Sequence, residues 1–395
     1  MRGQALAIAL VVACGVASFV TMRAMYRSLL RSQADYYAQY RFADVFAELK
    51  RAPNGAAERI RHIPGVAQAE TRVVMDVTLD VPGLNEPAVG RMISVPVRQD
   101  QRLNALFLRQ GRYVSRSGGK EVIASEAFAD ANRLRVGSEV SAVMNGRWQR
   151  LRVVGIALSP EYIYEIRGGG SLFHDNKRFG VLWMSADILE PALNMKGAFN
   201  SIAVSLLPHA NEDDVISQMD RELERYGTLG AYGRADQVSH RFVSDEISQN
   251  RITSTVIPVI FLAVAALLGH LSFTRLVNTQ RADIAVIKAF GFSNWQVGAH
   301  YVEFSLLVTI TGYLLGCGVG WYFGIRLAKL YADFYRFPVL TYRPELQIFV
   351  WAGLITCLTA IAAASGAVAR AVSLPPAEAM RPEAPARFRP MMSTN

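Results

Sequence analysis

Hydropathy divides the chain before any single residue does. Four long runs have no Asp, Glu, Lys or Arg: residues 5–20, 252–273, 304–325 and 347–369. A helix of about 20 apolar residues crosses the ~30 Å hydrocarbon core, so each run predicts a membrane span. The first reaches that length if its helix continues to Met22. Arg23, Arg27 and Arg31 then recur every four residues, which predicts that this helix leaves the bilayer as a stalk within residues 1–41.

Residues 42–238 change character, with Pro, Gly and charges punctuating short strand-like runs. The outer parts of this stretch look alike. Residues 44–50 read as a strand, Pro53 breaks it, residues 54–62 read as a helix, Gly65 turns, and residues 66–77 read as one strand. Later, residues 201–207 read as a strand and Pro208 breaks it. Asn211 caps a helix through Tyr226, with Glu212, Asp213 and Asp214 in its first turn, and Gly227 leads to a strand near Ala231. Two such units predict a split sheet of ferredoxin-like type. A strand-rich insert, residues 81–193, separates them. Within it, runs 139–144 and 148–156 flank Asn145-Gly146, a hairpin signal. Residues 167–178, rich in glycine, read as a surface loop that lacks the flanks of a phosphate-binding loop.

The rest of the chain alternates spans and connections. Residues 239–273 give a second stalk and the second span, with Pro258 as a kink. Residues 274–303 connect it to the third span, 304–326. A basic and aromatic loop, 327–346, leads to the fourth span, 347–369, and a polar, Pro-rich tail covers 370–395. The connecting segment 274–303 reads helix, stop, helix. Ile284, Ile287 and Phe290 share one helical face with Val286 beside them, while Arg281, Asp283 and Lys288 lie off it. Gly291 ends that helix, and Ser293 with Gln296 is a capping-box start for the next. The bend thus offers Phe290, Phe292 and Trp295. Two readings stay open on this pattern alone: aromatics seated in lipid headgroups, or a surface on which a soluble partner pushes.

The third span carries Gly312, Gly316, Gly320 and Gly324, small residues at every fourth position. Thr356, Ala360 and Ala364 repeat the spacing in the fourth. Such faces let helices approach closely, either within one chain or across a dimer.

Composition agrees with a membrane protein: 51% of the 395 residues are hydrophobic and 19% charged. The formal net charge of +9 comes from dispersed basic residues without a nucleic-acid motif, so no nucleic-acid partner is expected. Cys14, Cys317 and Cys357 all fall in apolar runs and imply neither a disulfide framework nor a metal site. Val11-Val12-Ala13-Cys14 fits a lipobox, but the apolar stretch runs past it and three more spans follow, which favours an uncleaved helix. The spans carry no ion-path charges. The chain has no G-x-S-x-G, H-E-x-x-H or G-x-x-x-x-G-K-[ST] sequence, so no catalytic residue is assigned and ATP hydrolysis is not expected of this chain.

Three stretches carry a family resemblance. Residues 281–292, RADIAVIKAFGF, resemble the cytoplasmic motif R-x-E-I-(G/A)-x-(L/I)-(K/R)-A-(L/I)-G-(A/F). Residues 376–383, PAEAMRPE, resemble the ending P-x-E-A-L-R-x-E. Ile63-Pro64-Gly65-Val66 with Arg72, and Gly111-Arg112-Tyr113 with residues 121–125, resemble a MacB-type periplasmic core domain. The chain thus resembles the FtsX-like permeases, membrane subunits of ABC systems of the MacB and LolCDE type. Asp283 stands where that motif usually has Glu.

The resemblance implies a four-span α-helical membrane protein of the bacterial inner membrane, with cytoplasmic termini. An α+β periplasmic domain lies between helices 1 and 2, a ferredoxin-like, porter-type part with a β-rich insert. It implies that Arg281, Asp283, Ile284, Ile287, Lys288, Phe290, Gly291, Phe292 and Trp295 face an ABC ATPase, which binds the ATP and magnesium; this chain is expected to need no cofactor. It also implies membrane lipid as surroundings, a homodimer or a second permease half, and a periplasmic adaptor or substrate protein as partners. Some relatives repeat this unit twice, so the chain reads as one half of such a protein, as a truncated start, or as a half-size permease. A signalling scaffold that regulates a periplasmic hydrolase is the alternative function.

Overall fold

The computed structural model describes residues 2–97, 102–115, 119–167 and 175–372. The glycine-rich stretch 168–174 and the ending motif 376–383 lie outside them. The chain forms two compact units.

The helical unit takes the chain up to Tyr26, Asn250–Arg326 and the chain from Tyr342 onward. Its four long helices are α1 (Arg2–Gln39), α6 (Val238–Thr279), α8 (Asn294–Phe334) and α9 (Leu346–Val372). Each is long and apolar enough to cross a membrane. Their apolar windows expose most of their side chains, as expected where hydrocarbon rather than water is the solvent. One buried cluster is small and β-branched: Val12, Val16, Val20 and Ala24 of α1 pack with Ala265, Ile348 and Ala352. Pro258 lies inside α6, which remains one helix.

The second unit is Arg27–Gln249 with Leu327–Thr341. It holds two sheets. In the smaller, four antiparallel strands stand in the order β11 (Thr228–Gly233), β1 (Val45–Pro53), β10 (Ala198–Leu206) and β2 (Val66–Arg72). Helices α2 (Asn54–Arg61) and α5 (Glu212–Leu223) bury Ile60, Val215, Met219 and Leu223 against it. Each helix follows one strand and precedes another, so the chain makes two β-α-β units. Local signals set these elements. Gly65 (φ 96°) and Gly227 (φ 70°) occupy the left-handed region, and the Asn211 side chain accepts the Asp213 N–H at the start of α5.

The larger sheet runs β5 (Phe107–Gly111), β8 (Arg147–Leu158), β6 (Glu121–Ser125), β9 (Phe179–Ser185), β4 (Ala88–Val95), β3 (Val74–Asp80) and β7 (Glu139–Met144). β7 also pairs with β8, and that closes the sheet on itself. The length of β8 permits this: its first half pairs with β7 and its second half with β5. Closure covers the edge that β7 would otherwise present, while β5 pairs on one side only. Asn145 and Gly146, both at positive φ, make the two-residue turn between β7 and β8. Leu79, Met92, Val122, Phe128, Val153 and Leu182 lie in the barrel's core.

Two sequence expectations change here. Residues 66–77 are not one strand: β2 ends at Arg72 in the small sheet and β3 begins at Val74 in the barrel, with buried Val73 between them. Nor is 327–346 a simple loop. α8 continues to Phe334, and Leu327–Thr341 packs into the second unit. Arg336 there pairs with Asp130 at 3.0 Å and Glu126 at 3.7 Å, and its N–H donates to the Ile163 carbonyl. Arg109 donates to the Pro338 carbonyl at 3.0 Å.

Candidate functional site

The connection between α6 and α8 is built as a short helix held on one side and bare on the other. α6 ends at Thr279, α7 spans Arg281–Ala289, and Phe290 closes it. Gly291 takes φ 92°, a conformation that any Cβ would strain, and reverses the chain. Ser293 then caps α8 reciprocally: its N–H donates to Gln296 Oε1 at 2.8 Å, and the Gln296 N–H donates to Ser293 Oγ at 3.3 Å.

One face of α7 points inward. Ile284, only 4% exposed, clusters with Val277, Val297 and Tyr301, and Ala285 is fully buried. The Tyr301 hydroxyl donates to Gln280 Oε1 at 2.8 Å and ties the start of α7 to α8. Ile284 therefore holds the bend together rather than lying on its outer surface. The outer surface consists of Val286, Ile287, Phe290, Phe292 and Trp295, with Phe290 81% and Trp295 82% exposed. Asp283 is exposed beside them and Lys288 is half-buried. Arg281 opens α7, and its side chain lies outside the described residues. The bend thus displays large apolar groups on a backbone fixed by caps.

The small-residue face of the third span is occupied by the chain's own first helix. A methyl group added at Gly312 would lie 2.5 Å from the Ala9 carbonyl oxygen and 3.0 Å from Val12 Cβ. At Gly320 it would lie 2.9 Å from the Ala17 oxygen. Gly316 makes the same approach between them. Thr21 Oγ1 donates to the Gly320 carbonyl at 3.0 Å. Gly324 faces the ring of Tyr342. In α9, Thr356 is buried and donates to the Ala352 carbonyl, the Ala360 carbonyl accepts Ser305 Oγ at 3.4 Å, and Ala364 packs on Phe273. This ladder therefore serves packing within the chain.

The second unit contains polar chemistry that the sequence pattern did not reveal. Arg72, at the end of β2, is buried and forms a two-point ion pair with Glu161, which follows β8. Nη2 reaches Oε1 at 3.0 Å, and Nη1 bonds Oε2. Gln237 Nε2 donates to the Glu161 carbonyl at 2.8 Å. Burial acts to lower the Arg72 pKa, but Glu161 outweighs it and holds that pKa above the ordinary guanidinium value. Glu165 is also buried, and burial pushes its carboxyl up to about 7, although the Ser125 hydroxyl, donating at 2.7 Å, and Arg336 pull it down. Arg72 stood out in the sequence only as part of a family pattern. Glu161 and Glu165 had no periodicity or spacing to mark them, because their partners lie far away in the chain.

These features define a multi-pass membrane protein that carries a mixed α/β domain between its first and second long helices. Residues 255–373 match the FtsX-like permease C-terminal family. Among solved structures, the chain is similar to the periplasmic region of MacB from Actinobacillus actinomycetemcomitans. The identity is 12%, over 52% of this chain and 92% of that one, with a TM-score of 0.32. It is also similar to the extracellular domain of the noncanonic ABC-type transporter YknZ from Gram-positive bacteria. There the identity is 12%, over 48% of this chain and 98% of that one, with a TM-score of 0.31.

Proposed function

We propose that the chain is the permease subunit of an ABC-type export or mechanotransmission system, coupling ATP hydrolysis by a separate ATPase to movement of its α/β domain. One observation carries this: the capped bend at Gln280–Asn294 holds Ile287, Phe290, Phe292 and Trp295 outward while Ile284 anchors it inward. A bend merely resting in headgroups needs no such fixed backbone. The ATPase binds the ATP and magnesium, and this chain supplies the socket. The family match over residues 255–373 supports the same reading.

In this reading the bend and both termini are cytoplasmic, the α/β domain is periplasmic, and its small sheet is the ferredoxin-like, porter-type part. Helices α1 and α6 each contribute residues to both units, so their displacement is the mechanical link. The glycine face of α8 is already used by α1, so a homodimer or a second permease half joins through other helix faces. A signalling scaffold would use the same socket and link; only what the outer domain acts on differs.

The test is co-purification of the chain with its ATPase. Ile287→Asp with Phe290→Asp abolishes the complex while the detergent-solubilised chain keeps its melting temperature. A folded double mutant that still holds the ATPase refutes the socket. ATPase stimulation by an exported ligand supports transport, and stimulation only by a periplasmic hydrolase supports signalling.

A further inference from the structure

A cavity of about 430 Å³ opens in the second unit between the small sheet and the barrel. Its walls are aromatic: Phe46 and Tyr232 from the small sheet, with Tyr162 and Tyr164 from the segment after β8. Phe46 and Tyr232 stack with centroids 5.8 Å apart, and Tyr164 lies against Phe242 at 4.7 Å, so their neighbours hold these rings in place. Leu229, 86% exposed, and Val238 supply apolar surface at the same cavity.

The charges lining it do not cancel. The Arg72 guanidinium is neutralised by Glu161 and that of Arg91 by Asp76, through bonds of 2.8 and 3.3 Å. Glu48 and Asp236 remain, and among the described residues neither has an ion-pair partner. Burial pushes the Tyr162 pKa up to about 12, with Arg91 and Arg72 pulling it down against Glu161 and Glu48. At Tyr232 burial again raises the pKa, and Glu48 and Glu161 add to it more than Arg72 opposes. A concave site of several hundred cubic ångströms, lined by aromatic side chains and by two carboxylates without an ion-pair partner among the described residues, suits a cation on an apolar stem. Ring faces attract ammonium and guanidinium groups, and a nearby carboxylate strengthens the attraction. An anionic ligand would find both guanidinium groups already engaged.

We infer that this cavity is a binding site for an amine or guanidinium carried on an apolar stem, held between Tyr232, Tyr162 and the carboxylates of Glu48 and Asp236. Two sources have that chemistry: a small hydrophobic amine, and a Lys or Arg side chain of a peptide or protein. The site is separate from the bend, and its failure would leave the ATPase socket standing, as the reverse also holds.

The test uses the full chain in lipid nanodiscs, titrated by calorimetry with phenethylamine and with acetyl-Leu-Lys-Leu-amide. Phenylpropionate and phenethyl alcohol serve as the anionic and neutral counterparts. At least one cationic probe binds saturably at one site per chain, and the two counterparts bind at least ten-fold more weakly. Tighter binding of the amine identifies a small-molecule site, and tighter binding of the peptide a basic side chain. Glu48→Gln, at an exposed position that leaves the fold intact, weakens the better probe at least five-fold, and Tyr232→Leu does the same. The inference is overturned if neither cation binds saturably, if phenylpropionate binds as tightly, or if Glu48→Gln with Asp236→Asn binds unchanged.

Discussion

Gly316 lies so close to Val16 that a methyl group at residue 316 would stand 2.7 Å from Val16 Cβ and 2.7 Å from the Ala13 carbonyl oxygen. Real Cβ atoms do not approach that closely, so helix α8 meets α1 here backbone to backbone. Overpacking such a contact costs about 1–3 kcal/mol, and occasionally more. Gly316→Leu should therefore lower the melting temperature of the detergent-solubilised chain by several degrees. Gly318 is the internal control, since nothing lies within 4 Å of its added Cβ. Gly318→Leu should leave the melting temperature nearly unchanged. Equal effects at the two positions would contradict the packing described.

The Arg72–Glu161 pair joins β2 of the small sheet to the segment after barrel strand β8, and both side chains are buried. Removing one partner strands the other charge away from water, which costs about 3–5 kcal/mol, whereas replacing both by apolar groups costs far less. Glu161→Leu and Arg72→Met should each destabilise the chain strongly, while the double mutant recovers most of the loss. A double-mutant cycle on thermal or denaturant unfolding measures this. Additive losses would mean that the pair is not coupled.

Glu165 gives a pH dependence of definite sign. Its folded-state pKa is raised to about 7 from an ordinary 4.5, chiefly by burial. A raised carboxyl binds its proton more tightly folded than unfolded. The folded state therefore gains from it at low pH, loses that gain as pH climbs from about 4.5 to 7, and changes no further above. The size is on the order of 3 kcal/mol across that window. Glu165→Gln removes the term, so the stability difference between variant and parent should grow in the variant's favour from pH 5 to pH 7.5. A difference that stays constant across that range would show that Glu165 titrates normally.

How much of this was legible in sequence follows from the range of the interactions. The spans, both β-α-β units, the Asn145-Gly146 hairpin and the capping box at Ser293 are set by residues a few positions apart, and the pattern contained them. The switch of sheet at Val73 was not legible, because residues 66–77 keep strand character throughout and only the partners, β10 for Arg72 and β4 for Val74, tell the strands apart. Closure of the barrel depends on the length of β8 finding both β7 and β5. The place of residues 327–341 rests on Arg336 meeting Glu126 and Asp130 some two hundred positions away. At the bend, periodicity put Ile284 and Phe290 on one face. It could not say that α6 and α8 cover the first and leave the second bare.

That difference between Ile284 and Phe290 yields the most discriminating experiment on the bend. Ile284 is packed among Val277, Val297 and Tyr301, and Phe290 is 81% exposed. A charge at position 284 would be buried without a partner, so Ile284→Asp should loosen the bend itself, seen as faster proteolysis between α6 and α8. Phe290→Asp and Trp295→Asp put their charges into open solvent and should leave the protease pattern unchanged. If the outer surface is the ATPase socket, these two variants lose ATPase association while Ile284→Asp loses association and local order together. Gly291→Ala occupies the middle ground: at φ 92° an alanine is strained by about 1–2 kcal/mol, enough to weaken the bend without abolishing it. Loss of association in Ile284→Asp alone, with Phe290→Asp and Trp295→Asp still bound, would move the contact off the aromatic surface altogether.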